Sequence, residues 1–258
     1  MNSDIWQKQD SNKPLFEDLI WSKPSTKMTA GKLLIIGGNS NGFTSPAICY
    51  TKSLQAGAGT VKVLMPQVLQ KIVGKTLEDA EFAPNNNSGS FSKQAISAFL
   101  DLANWSDGVL LAGDFSNNSE TATLLETFLE KYSGQITFYG DAVDLALNNP
   151  HAVLNRINTL LVLDFSKLQK LFINSRFARP LKSTMNLDSY IETVSEYTKR
   201  FKPIILSEFN GNIVVSEQGK VITTKTEPEI SLYPAKAAVW WMQHPSKSLP
   251  AIASAIVN

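Results

Sequence analysis

The residues best placed to do chemistry form the stretch Gly37-Gly38-Asn39-Ser40-Asn41-Gly42, directly after the apolar run Lys32–Ile36. A glycine turn that ends a strand points backbone N–H groups outward, and the amino end of a following helix favours negative charge. Such a corner, at the carboxyl edge of an open α/β sheet, is where a phosphate-bearing ligand binds. Two standard versions fail on inspection. A Walker A loop ends in Lys-Ser/Thr, whereas Phe43-Thr44 stands here; a dinucleotide fingerprint needs a third glycine where Pro46-Ala47 lies. The plainer alternative, that these glycines only make tight turns, stays open. Ala-Gly-Ala-Gly at 56–59 follows a helix pattern, so its local role is a helix stop that lets the next strand approach closely.

Other reactive types are sparse. His151 and His244 both lie beside prolines in expected loops, with no partner at metal-ligand or triad spacing. Cys49 is the single cysteine, which excludes an intrachain disulfide and a cysteine-rich metal site. No metal site is expected. Lys52 and Lys62 fall on solvated faces. Trp240 and Trp241 are adjacent, so on a helix they point apart: one is expected in the core and the other in a lid or subunit contact.

The elements that must position these groups alternate. Strands are expected at Lys32–Ile36, Thr60–Met65, Asp107–Ala112, Gln135–Tyr139, Asn158–Leu163, Lys202–Leu206, Asn212–Ser216 and Val221–Thr224. Helices are expected from Ser45-Pro46 to Leu54, over 68–76, from Ser92 to Trp105, from Ser119 or a nearby Asn, near 142–148, from about Lys167 with Asp164 as its cap, and from Asp188. Parallel strands need crossover helices, so this alternation calls for a mostly parallel sheet covered on both faces. The turn Glu-Gln-Gly-Lys at 217–220 adds an antiparallel hairpin at one edge. Residues 1–30, with Trp6, Phe16 and Trp21 set among prolines, read as an extended arm, laid on its own core or exchanged with a partner; residues 31–258 read as one domain.

Composition narrows the function classes. The 258 residues are 43% apolar and 18% charged, and 24 basic against 23 acidic side chains leave a charge of +1. That balance supplies no pull toward nucleic acid or an anionic membrane. No stretch has the length of a membrane span, and the first residues lack a basic-then-apolar leader. A cytoplasmic protein, forming a homo-oligomer, is the expectation.

Residues 30–66, AGKLLIIGGNSNGFTSPAICYTKSLQAGAGTVKVLMP, resemble the opening of the ADP/ATP-dependent NAD(P)H-hydrate dehydratases of the ribokinase-like superfamily. The shared pattern is a strand ending in Gly-Gly, a Ser/Asn/Gly loop, a helix, Ala-Gly-Ala-Gly and a strand ending at Pro. DGVLLAGDFSNNSETATLL at 107–125 sits where that family has a strand, Gly-Pro-Gly-Leu-Gly and a helix. ITFYGDAVDLAL at 136–147 sits on Leu-Asp-Ala-Asp-Ala-Leu, with Asp141 on the second aspartate. The resemblance spans roughly 30–225 and is specific only in its first half.

It implies a ribokinase-like three-layer α/β/α sandwich in which substrate and nucleotide meet at the strand carboxyl ends. The implied ligands are ADP or ATP with Mg2+ and an NAD(P)H-related molecule. The implied reaction phosphorylates a hydrated nicotinamide nucleotide, which then loses phosphate. The binding residues that follow from it are Gly37, Gly38, Asn39, Ser40, Asn41, Gly42, Gly113 and Asp114, with Asp141 as the surviving candidate carboxylate, unless it only caps the next helix.

The departures are chemical. Gly-Pro-Gly-Leu-Gly has become Ala112-Gly113-Asp114-Phe115-Ser116, and a carboxylate at Asp114 repels phosphate unless a metal intervenes. The His-Pro-Gly-Glu turn is replaced by LVLDFSK at 161–167, and the expected strand lysine is Ser207. The Gly-Asn-Pro-Gly…Gly-Thr-Gly-Asp segment, which in the family supplies the anion hole and the general base, is replaced by TEPEISLYPAKAAVWWMQHPSK. The expectation is therefore a pseudoenzyme that binds a nucleotide with weak or no catalysis. The alternatives are an active dehydratase or small-molecule kinase completed by a partner subunit, and a structural or assembly protein that keeps only the fold.

Overall fold

The computed structural model describes residues 5–10, 12–226 and 229–258. Ten strands form one sheet: β1 (Trp6–Gln9), β2 (Lys32–Gly37), β3 (Thr60–Pro66), β4 (Ala80–Ala83), β5 (Gly108–Gly113), β6 (Ile136–Phe138), β7 (Thr159–Leu163), β8 (Ile204–Phe209), β9 (Asn212–Glu217) and β10 (Lys220–Lys225). Their order is β1-β10-β9-β8-β7-β6-β5-β2-β3-β4. Every pair from β4 across to β8 is parallel, while β8–β9 and β9–β10 are antiparallel. This is the mostly parallel, three-layer α/β/α fold with an antiparallel edge pair that the alternation demanded.

Side-chain alternation decides the layers, because successive strand residues face opposite sides. Leu34, Ile36, Val109, Leu111, Leu161 and Leu163 pack with α4 (Ile96–Trp105), α5 (Ser119–Lys131), α6 (Asp141–Ala146), α7 (Pro150–Leu154), α8 (Phe165–Asn174) and α9 (Leu187–Arg200). Leu33, Ile35, Leu110, Ala112, Leu160 and Val162 pack on the other face, against α2 (Thr44–Gln55), α10 (Pro234–Gln243) and α11 (Ser248–Val257). Both faces are covered, which is why the central strands read as unbroken apolar runs.

Several local expectations need correction. Strand β4 and helix α7 were not foreseen, and α7 puts His151 on a helix rather than in a loop. The helix expected at 68–76 is a 3-10 turn followed by the single-turn α3 (Gln70–Val73). Asp188 lies inside α9, whose amino end is capped by Asn186. Asp164 does cap α8, its side chain accepting from the Lys167 N–H. Trp240 and Trp241 are both buried: α10 packs on the sheet with α11 beside it, so Trp241 meets the sheet-facing cluster while Trp240, about 100° away, meets Leu19 of the arm and Ala251 and Ala255. Within the arm, β1 joins the sheet parallel to β10, and α1 (Glu17–Trp21) places Leu19 against Trp240.

Candidate functional site

The first βα corner lies between β2 and α2, and its amides are already bonded. Gly38 N–H donates to Gly113 O (3.1 Å), Asn39 N–H to Gly42 O (2.9 Å), Ser40 N–H to Gly89 O (2.9 Å) and Gly42 N–H to Asn39 O (3.1 Å). The Asn41 N–H donates to Asn39 Oδ1 at 2.7 Å. The corner thus ties itself into a closed turn and takes the loop around Gly89 as a cover, with the Ser40 hydroxyl donating to Ser88 O at 3.2 Å. Asn39, itself buried, clamps the neighbouring loop through Nδ2 on Asp114 O at 2.6 Å. None of the five principal cavities is lined by residues 37–42.

The second loop, after β5, is also self-satisfied. Gly113, Asp114 and Ser116 have φ of 96°, 59° and 61°, and this left-handed backbone turns the Phe115 and Ser116 N–H groups toward one point. The group at that point is the chain's own Asp141 carboxylate, whose Oδ1 accepts from Phe115 N (3.1 Å) and Oδ2 from Ser116 N (3.0 Å). Asp141 opens α6 after Gly140, so it does stand at a helix start, but its bonds go to the neighbouring loop. Burial pushes its pKa up, and Asp114 adds to that, against the opposing pull of the two amides and Lys167.

Asp114 meets α2. Its Oδ2 accepts from Ser45 N at 2.8 Å. The helix expected to start at Ser45 begins at Thr44, so Ser45 lies inside it; the flanking residue is Phe43, and the cap comes from the neighbouring loop through Asp114. A carboxylate at a helix amino end satisfies both an orphan N–H and the helix dipole. The site's anion positions are therefore filled from within.

Tyr139 stands between these loops, half-buried and packed against the apolar clusters of both neighbouring strand groups. In the register of the resemblance it occupies the first aspartate position. Burial raises its pKa, and the nearby Cys49, Asp164, Asp114 and Glu229 push it further. Burial and Asp114 push the Cys49 thiol up to about 12, which makes it a poor nucleophile. Ser207, in the place of the expected lysine, is fully buried and shares a 2.8 Å hydrogen bond with the Tyr190 hydroxyl. His151 is exposed, and His244 terminates α10 beside Trp240; neither approaches Asp141 through any hydrogen bond.

A cleft of about 410 Å3 opens beside Asp141, lined by Ser116, Asn117, Asp141, Asp144, Asn148 and Lys170 among others. Lys167 Nζ reaches both Gly140 O and Asp144 Oδ2 at 2.9 Å, and Lys170 Nζ reaches Asp144 Oδ1 at 3.0 Å. Burial pushes the Asp144 pKa up, but the two ammonium groups outweigh it and hold the carboxyl below its usual range. A depressed folded pKa contributes stability above the unfolded value and loses it as pH falls through the folded one. Asp144→Asn is accordingly expected to cost about 0.5 kcal/mol at neutral pH, the scale of a partly exposed pair. Urea titrations should show that cost vanishing as pH falls below the ordinary aspartate range.

Among the described residues no group of three or more His, Cys, Asp or Glu side chains is arranged to hold a metal ion. Asp114 and Asp141 are committed to backbone amides, so the residues present do not fit a magnesium nucleotide at this edge. Sequence reasoning missed Tyr139, the clamp from Asn39 and the cover at Ser88–Gly89. Only the Asn/Ser/Gly richness of residues 85–90 hinted at the last.

No protein-family model matches the chain. Over 124 residues it is 30% identical to the bifunctional NAD(P)H-hydrate repair enzyme Nnr of Methanocaldococcus jannaschii, a match covering 46% of this chain and 23% of that enzyme. A ribokinase-like superfamily protein of Enterococcus faecalis superposes with a TM-score of 0.71 at 12% identity, covering 98% of this chain and 86% of the other. The ADP/ATP-dependent NAD(P)H-hydrate dehydratase of Bacillus subtilis, co-crystallised with ATP/Mg2+, gives 0.63 at 11% identity, covering 94% and 86%. The solved structures establish a ribokinase-like fold, and the partial sequence match points to the same group as the resemblance in residues 30–66. No described helix is long and apolar enough to cross a membrane.

Proposed function

We propose that this chain is a divergent relative of the NAD(P)H-hydrate dehydratases that no longer transfers a phosphoryl group and holds a nicotinamide nucleotide or related nucleoside in the cleft beside Asp141. One observation carries the first half: the loop amides of Phe115 and Ser116 and the amino end of α2 are each occupied by a carboxylate of the chain itself. Phosphoryl transfer depends on oriented donors and cations around the moving group. Here the donors are spent and negative charge stands in the place of the phosphate. Removing a single oriented donor costs about two to three orders of magnitude in rate, and this edge has lost several.

The replaced segment points the same way. Helix α10 begins with Pro234 after Tyr233, with no glycine turn and no carboxylate in its first turn. The cleft beside Asp141 supports the second half of the proposal. Its volume lies within the range of small-ligand sites, and the side-chain amides of Asn117 and Asn148 in its lining offer acceptors to a donor-rich group such as a carboxamide.

A coupled assay that follows recovery of NADH absorbance from hydrated NADH, with ATP or ADP and magnesium, is expected to show no rate above the uncatalysed one. Turnover that disappears in Asp141→Asn overturns the proposal. In parallel, NADPH at a hundredfold excess over its dissociation constant should add about 2.7 kcal/mol to stability. Indifference to every nucleotide would favour a structural role, a reading already favoured by the cover that Gly89 places on the first corner.

A further inference from the structure

Two cavities lie at the opposite end of the molecule, where β7 and β8 begin. One is about 700 Å3 and the other about 480 Å3, and they adjoin across Glu217, Gln218 and Ser248. The larger is lined by Phe16, Ile222 and Leu249, which belong to one apolar cluster, together with Lys220 and Lys247. The smaller carries Lys199 and Lys202 beside Phe201 and Ile204.

Charge at this end is unbalanced. Among the described residues Glu217 is the one acidic residue in either lining, and its carboxylate accepts from Ser248 Oγ at 2.7 Å and Leu249 N at 3.1 Å, which consumes it as the cap of α11. Lys247 pairs with Asp18 at 2.9 Å, whereas among the described residues Lys199, Lys202 and Lys220 have no ion-pair partner.

The frame is rigid. Gly219 has φ of 82°, an added Cβ there would overlap the Lys199 stem, and the turn is bolted to α9 by Ser195 Oγ on Gly219 O (2.6 Å) and Gly219 N on Thr198 Oγ1 (3.1 Å). The Lys199 stem is thus laid against the turn at Gly219, and its side chain lines the smaller cavity. Cations unpaired among the described residues, beside an apolar lining of this volume, suit a ligand with a charged head and an apolar or planar body.

We propose that this end is a second binding site, for a phosphate-bearing organic anion whose body lies against Phe16 and Leu249 and whose phosphate reaches across Gln218 to Lys199, Lys202 and Lys220. It stands apart from the cleft beside Asp141 and does not depend on any reaction there.

The experiment is an amide NMR titration of the full chain with magnesium-free ADP, and separately with inorganic pyrophosphate. ADP is expected to shift the amides of Gln218, Gly219, Val221 and Leu249. The double variant Lys199→Glu/Lys202→Glu and the single variant Lys220→Glu should each weaken binding at least about tenfold, and added salt should weaken it further. Pyrophosphate should bind more weakly than ADP; equal affinity would overturn the organic-body part of the assignment. Silence at Gln218 and Gly219 up to millimolar ADP, affinity unchanged by charge reversal, or shifts confined to Ser116 and Asn117 would overturn the site. Dehydratase turnover, measured independently, bears on the Asp141 cleft alone.

Discussion

Gly37→Ala is expected to lower the free energy of unfolding by about 3 kcal/mol, the upper part of the range for overpacking a tight interior. An added Cβ at Gly37 would overlap the carbonyl oxygen of Gly113, and that atom is backbone, so no side-chain rotation relieves it. The same carbonyl accepts the Gly38 N–H, so the end of β2 would be pried from β5 where both loops of the candidate site begin. Gly42→Ala is the control. A Cβ there meets nothing within 4 Å and its φ is not left-handed, so the change should stay within about 0.5 kcal/mol. Urea midpoints with unchanged slopes would give both values. A mild Gly37→Ala would mean that the two strand ends are not held together as described.

That contrast shows what was legible beforehand. Gly37 and Gly42 belong to the same short motif and read alike as turn formers, yet one sits against a carbonyl 76 residues away in the chain and the other faces open space. The fold was readable because strands such as β2, β5 and β7 are buried on both faces and announce themselves as apolar runs. Short elements without such a run were not: β4 is four residues with only Ala83 buried, and α7 is five. The candidate site was half legible. Its loops stood where the resemblance put them, but whether an amide is free depends on partners such as Asp114 for Ser45 or Gly89 for Ser40, and no local pattern reports a contact across the sheet.

Under the proposed function, the carboxyl edge is an anion site lost without loss of the fold. A phosphate in such a loop satisfies amides that would otherwise go unpaired, so a chain that gives up the phosphate must supply another acceptor. Asp141 and Asp114 do so, and Asn39 holds the loop's remaining carbonyl. The same carboxylates that stabilise the loops would repel a phosphate placed there.

Asp141→Ala should consequently be destabilising by about 3 kcal/mol at neutral pH, although it removes a half-buried charge from beside Asp114. Two charge-assisted hydrogen bonds of about 1.5–3 kcal/mol each are lost, and the Phe115 and Ser116 amides are left facing a void. The backbone at Asp114 and Ser116, already left-handed, loses the contact that holds it there. Relief of burial and repulsion offsets part of this, since those two effects outweigh the amides in raising the Asp141 pKa, which is why the expected loss is about 3 kcal/mol and not the sum of two such bonds. Asp141→Asn keeps one acceptor oxygen and points an NH2 at the other amide, so it should fall between alanine and the native residue. The pH dependence has a definite sign. A carboxyl whose folded pKa is raised contributes most below its unfolded pKa and loses stabilisation as pH rises through the folded value. The gap between native and Asp141→Ala stability should therefore widen as pH falls from neutral toward the ordinary aspartate range, opposite in sense to Asp144→Asn. Formate or acetate at high concentration should restore part of the loss in the alanine variant, because a free carboxylate fits between the two amides. An alanine variant as stable as the native chain, or one unmoved by pH across that interval, would show that the loop is held by something other than Asp141.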